Sequence, residues 1–112
     1  MADARFRIVR HRPDGSLSWR LLATNNRDIG RSPVRHPDVE ACRAAVRDLQ
    51  LRLGRARTSI VRAEASSWSW RIAVGDVVVA VSSRDYQRRI QAEQAAGIAL
   101  ALIPAAAIVE PA

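Results

Sequence analysis

The sequence predicts an α+β domain in which two tandem β-β-β-α-β repeats share one antiparallel sheet, with two helices on one face. Three observations predict it. The pentapeptide Trp19-Arg20-Leu21-Leu22-Ala23 returns as Trp70-Arg71-Ile72-Ala73-Val74, one strand used twice. Each copy is followed by a tight-turn signal and then by a run whose apolar residues recur at helical spacing. Finally, 112 residues, 48% hydrophobic and 26% charged, suit one folded core and are too few for two. The chain therefore reads as a single domain, 1–112, made of repeats at about 5–57 and 58–112.

Phe6 and Ile8 alternate with Arg5 and Arg7, a strand pattern that stops at the turn tripeptide Pro13-Asp14-Gly15. The strand Trp19 to Ala23 follows, closed by Asn25-Asn26, residues that tolerate the left-handed conformation of tight hairpins. A short third strand centres on Ile29 and ends near Ser32-Pro33. Pro37-Asp38 opens a helix, because Asp38 can accept from the free amides of a first turn. Val39, Cys42, Val46, Leu49 and Leu53 stack along its inner side, while Glu40, Arg43, Arg47 and Gln50 fall on the wet side. Gly54 is its stop.

From Thr58 the pattern restarts. Ile60-Val61-Arg62 answers Ile8-Val9-Arg10, Gly75-Asp76 replaces Asn25-Asn26, and Val77 to Val81 supply a third strand. A second helix is expected from about Asp85 to Ile103, halted by Pro104. Tyr86, Ile90, Ile98 and Leu102, with small Gly97 and Ala101, are its expected buried face. Ala107 to Glu110 reads as a last short strand.

Phe6, Ile8, Trp19-Arg20-Leu21, Ala23, Asn25, Ile29 and Ser32, with a second set at Trp70-Arg71-Ile72, Val79, Ser82 or Ser83, Tyr86 and Gly97-Ile98, form a pattern over nearly the whole chain. It resembles the YegP-like family of small bacterial proteins. The resemblance implies tandem β-β-β-α-β units in one sheet, each unit's last strand joining the other unit's side: Thr58 to Arg62 in one direction, Ala107 to Glu110 in the other. It implies no catalytic residues. The second repeat departs from the pattern in lacking a Phe at the place of Phe6 and in an Ala-rich helix.

The formal charge is +7, and all of it lies in residues 1–57, which hold 13 Arg against 6 acids; residues 58–112 balance 5 against 5. Every basic residue is Arg. GC-rich coding and an anion-binding role both generate that bias. One cysteine, Cys42, excludes an internal disulfide and points to a reducing compartment, hence the cytoplasm. The N-terminal segment from Met1 lacks the apolar run of a signal peptide, and the apolar stretch from Ala95 to Val109 is too short to span a membrane and contains Pro104.

No P-loop, dinucleotide fingerprint or catalytic triad spacing is present. His11, His36 and Cys42 are the only residues that could begin a nucleophilic or metal site, and they do not cluster along the chain, so no catalytic residue, metal or cofactor is expected. The sharper idea lies in the Trp-Arg pairs. If Trp19, Leu21, Trp70 and Ile72 face the helices, Arg20 and Arg71 project from the opposite side together with Arg7. These three arginines are the candidate anion-binding residues, set against a solvated face whose Arg stems merely cover the sheet.

Two classes of function follow. One is a small non-enzymatic binding module, monomeric, using the Arg-bearing face to engage nucleic acid or an acidic protein. The other is a small-molecule binder or enzyme with a site in the cleft between the repeats.

Overall fold

In the computed structural model, which describes residues 3–64 and 66–111, the first hairpin joins β1 (Arg5–Arg10) to β2 (Leu17–Leu22). Met1 and Ala2, the first residues of the segment read for a leader, lie outside the described residues. Within the hairpin turn Asp14 Oδ1 accepts from the Ser16 amide at 2.9 Å, and Gly15 takes the φ of +74° that the turn requires. Asn26, at φ +66°, turns the chain into β3 (Asp28–Arg31). Helix α1 (Val39–Arg52) starts where Asp38 Oδ1 accepts from the Ala41 amide at 2.8 Å. A short 3-10 turn, Leu53–Arg55, leads to β4 (Arg57–Arg62).

The second half repeats this order in β5 (Trp68–Val74), β6 (Val77–Ser82), α2 (Arg89–Leu102) and β7 (Ala107–Val109). The seven strands form one sheet in the order β4-β5-β6-β3-β2-β1-β7. Its centre is narrow: β3 and β6 pair at only Gly30 with Ser82 and Arg31 with Val81. Ser32 and Ser82, at the ends of these strands, use their hydroxyls to accept the amides of Trp19 (3.2 Å) and Trp70 (3.3 Å), satisfying donors where the ladder runs out.

Strand alternation sends Phe6, Ile8, Leu17, Trp19, Leu21, Trp70 and Ile72 to one face, where they form a single core with Cys42, Val46 and Leu49 of α1 and Ala95, Ala96 and Ala99 of α2. Both helices therefore lie on one face of the sheet. The Phe6 ring meets Trp19 edge-on, with centroids 5.1 Å apart.

Four expectations need correction. The sheet is not wholly antiparallel: β7 runs parallel to β1, because β1 lies three antiparallel steps from β6 and so points opposite to it, and the chain returning from α2 also runs opposite to β6. Helix α2 starts at Arg89, four residues later than expected, because Tyr86 is held in an extended bridge with Trp68, amide to carbonyl at 2.7 Å in both directions.

Its buried face is also different. Ala92, Ala95, Ala96 and Ala99 point inward, whereas Ile90 and Ile98 are 54% and 52% exposed and Gly97 and Ala101 face solvent. The fully buried Trp70 indole shares one core with Ala95, Ala96 and Ala99, so what α2 presents to that core is a row of methyl groups. Finally, Gln50 is not simply solvated: its amide nitrogen donates to the carbonyls of Ile103 and Ala106, both at 3.0 Å, anchoring the return into β7, and Arg43 pairs with Glu110.

Trp70 also sets the composition of β3. A Cβ on Gly30 would lie 3.0 Å from Cη2 and 3.3 Å from Cζ2 of the fully buried Trp70 ring, which has no room to retreat. Gly30→Ala is therefore expected to destabilise the fold by about 1–3 kcal/mol in urea denaturation. Gly54→Ala, whose added methyl meets nothing within 4 Å, serves as the control and should cost nothing.

Candidate functional site

The face of the sheet opposite the helices is built by the same alternation that buries the tryptophans. Arg7, Arg31 and Arg71 are exposed there and Arg20 is partly so. Strand register then aligns them. Arg7 stands opposite Arg20, Arg20 opposite Arg31, Arg31 opposite Val81, and Val81 opposite Arg71. Four arginines thus lie on one line across five strands, a span of roughly 19 Å at the usual strand spacing. Val109 and Ser59 end the line on β7 and β4.

The row carries no acid. Arg20 is oriented from beside it, its guanidinium 2.8 Å from Asp28 Oδ2, while Asp28 also accepts from Ser83 across the β3–β6 join. Among the described residues Arg7, Arg31 and Arg71 form no ion pair. Next to Arg20 and Arg31 the surface dips into a depression of about 330 Å³, bordered by His11, Ser18 and Arg35. His11 Nε2 and Ser18 Oγ share a hydrogen bond of 2.6 Å there. The arrangement offers planar, permanently charged donors suited to phosphate or carboxylate oxygens.

Arg7, Arg20 and Arg71 thus lie on one face, in one row. Arg31 was missed, and the reason is physical. Leu22 pairs with Asp28 but Leu21 with Gly30, so Ile29 is an extra residue in β3. This bulge lets Ile29 and Gly30 both turn inward and sends Arg31 out, where uninterrupted alternation would have put Ile29 and Arg31 on the same side. β6 has the matching irregularity between the partners of Ile72 and Ala73. The glycine inside a four-residue strand was the available signal.

On the other side of the sheet, between the β2–β3 turn and α2, a second concavity of about 700 Å³ opens. Ile29, Ala95, Ile98 and Leu102 form its apolar part, and Arg27, Arg84, Asp85 and Tyr86 its polar margin. Tyr86 is half-buried, and burial raises its phenol above the ordinary value while the charges of Arg84 and Arg27 pull it back. The sequence did not reveal this cleft, because Ile98 and Leu102 were assigned to the core.

No protein-family model and no curated protein matches the chain. Solved structures do share its fold. YegP from E. coli, a protein of unknown function, superposes with a TM-score of 0.74 at 15% identity, covering 98% of this chain and 94% of that one. The UPF0339 protein SO3888 from Shewanella oneidensis does so with a TM-score of 0.78 at 10% identity, covering 96% and 91%. The chain has the YegP-like fold.

The remaining chemically capable side chains are dispersed. His11 bonds Ser18, and His36 pairs through its backbone with Leu17 at 2.7 and 2.8 Å, its imidazole pushed below 6.5 by burial. Cys42 is fully buried in α1. Among the described residues no group of three His, Cys, Asp or Glu is placed to hold a metal ion.

Burial pushes the Cys42 thiol up from 9.0 to about 11, so it stays neutral and unreactive. A thiol reagent at pH 8 should leave the native protein unmodified and label one site after unfolding in urea. Because the unfolded thiol ionises first, stability should fall as pH rises from 9.0 towards 11, and a Cys42→Ala variant should lose that part of the slope.

Proposed function

We propose that the protein is a non-enzymatic, monomeric, cytoplasmic binding module that engages the phosphates of duplex nucleic acid through the Arg7, Arg20, Arg31 and Arg71 row. The observation that carries this reading is the register itself. Like charges directly opposite one another in a sheet are destabilising, and here three consecutive strands place Arg against Arg against Arg. A face that only needed solubility is better served by alternating signs. An anionic partner turns this repulsion into attraction.

The same face argues for phosphate contacts over base stacking. Single-strand binders stack bases on exposed aromatics. Here Phe6, Trp19 and Trp70 are in the core, and Trp68 lies between the guanidiniums of Arg62 and Arg89, each 5.4 Å from its ring centroid. Phosphate contacts fix position without reading sequence, so affinity should depend little on base composition.

Fluorescence anisotropy with a short duplex across a salt series tests the reading. Wild type should bind at low ionic strength with a log–log salt slope of about 0.9 per phosphate neutralised. Arg7→Gln with Arg31→Gln should flatten the slope by up to about two. Arg20 is left in place because Asp28 would otherwise lose its counter-ion. Removing like-charge neighbours should leave the double variant at least as stable as wild type, so lost binding cannot be ascribed to unfolding. A chain with no affinity for duplex at low salt, or a double variant with an unchanged slope, overturns the proposal; in that case retention by an acidic protein column would assign the row to a protein partner instead.

Light scattering should show one copy per particle across concentrations, since the sheet and its core close within one chain.

A further inference from the structure

The cleft beside α2 is not a general consequence of the fold. α1 and α2 each span 14 residues and start fifty positions apart, so their positions can be matched one to one. Where α1 has Asp48 and Arg52, paired with each other at 2.9 Å, α2 has Ile98 and Leu102. At these two positions the first half carries an exposed ion pair and the second two aliphatic side chains. Ile98 is 52% exposed although it sits in a concavity. An apolar side chain there gains only if something apolar covers it.

The margin specifies the rest of the occupant. Arg27, from the β2–β3 turn, and Arg84, from the loop after β6, both act electrostatically on the Tyr86 phenol, which places two cations around one hydroxyl donor. Asp85 offsets one of them, leaving a net positive edge next to an aliphatic floor. The volume of about 700 Å³ is in the range of small-molecule sites and too confined for a macromolecule.

We propose that this cleft binds a small amphiphilic anion: an aliphatic body lying on Ile29, Ala95, Ile98 and Leu102, and one carboxylate or phosphate head held by Arg27, Arg84 and the Tyr86 hydroxyl. The site is on the opposite side of the sheet from the arginine row and does not depend on it. Gln94, exposed on α2, also lines the cleft and provides an amide within the site.

Octanoate, octyl phosphate and 1-octanol are the probes, followed by amide chemical shifts and calorimetry on the full chain. Both anions should saturate with shifts centred on Arg27, Tyr86 and Ile98, and the neutral alcohol should bind at least about tenfold more weakly. Comparing the two anions identifies which head the cations prefer. Ile98→Asp with Leu102→Arg installs the first half's ion pair and should lower affinity for all three probes by about tenfold or more. Arg84→Gln, an exposed change with little risk to folding, should bring octanoate down to the level of octanol. Arg7→Gln with Arg31→Gln should leave octanoate binding unchanged, so failure here and failure of nucleic-acid binding are separable. The proposal is wrong if octanoate and octyl phosphate fail to saturate in the low-millimolar range, if their shifts map to the arginine row, or if Arg84→Gln in a chain of native melting temperature alters nothing.

Discussion

The structure depends on where the Trp70 indole goes. β3 and β6 are joined by two residue pairs, too few to hold two halves of a sheet rigidly, and the fully buried Trp70 ring lies across that join against Gly30. An indole buries a large apolar area, so the narrowest part of the backbone ladder is reinforced by one of the largest side chains in the core. Ser83 and Asp28 add a hydrogen bond on the same join. The Trp70 backbone amide donates to Ser82 Oγ, while its buried indole N–H has no hydrogen-bond partner, so packing places the ring.

Both candidate surfaces follow from that placement. Burying Trp19 and Trp70 commits Arg20 and Arg71 to the opposite face, because neighbouring residues of a strand alternate. On the helix side, the volume of the indole obliges α2 to approach through Ala92, Ala95, Ala96 and Ala99. A helix turned so that its alanines face in must turn its larger aliphatics outward, and Ile98 and Leu102 thereby reach the cleft. In the first half α1 meets Phe6 and Trp19 with Cys42, Val46 and Leu49, larger side chains against a differently filled space. That helix displays one large aliphatic, Leu51, which is 85% exposed.

Much of this was legible in the residues. The strand and helix order, the Asp38 cap, the turn at Asn26 and the facing of both tryptophans follow from local rules, each needing only a few neighbours in sequence. The features that were not legible depend on one element knowing the size or position of another. Hydrophobicity alone assigns Ile98 to the core and Ala92 to nowhere in particular; only the Trp70 ring beneath reverses the order. Arg31 depends on a bulge, which shifts side-chain parity without any change in hydrophobic pattern. Gln50 was read as solvated because its partners, the carbonyls of Ile103 and Ala106, are contributed by a segment more than fifty residues away. The parallel placement of β7 likewise depends on which strand it lands beside and not on strand composition.

The two halves of the chain differ in what they bury and what they expose. At the outer strand position of the first half Phe6 is buried against Trp19, and the register of β4 on β5 puts exposed Thr58 in the corresponding place. The first half thus holds the Phe6–Trp19 pair and most of the arginine-dense face, since Arg7, Arg20 and Arg31 are its own and Arg71 alone comes from the second. The second half holds the small-residue helix, which borders the cleft together with the β2–β3 turn. A row of like charges and the half-exposed Ile98 are both unfavourable in the isolated chain, one through repulsion and the other through hydration of apolar surface. They occur on opposite sides of the sheet, and residues of both halves border each. Both features stand on the surface, while the core between them buries Phe6, Trp19 and Trp70 completely, so their local cost is set against a closed interior.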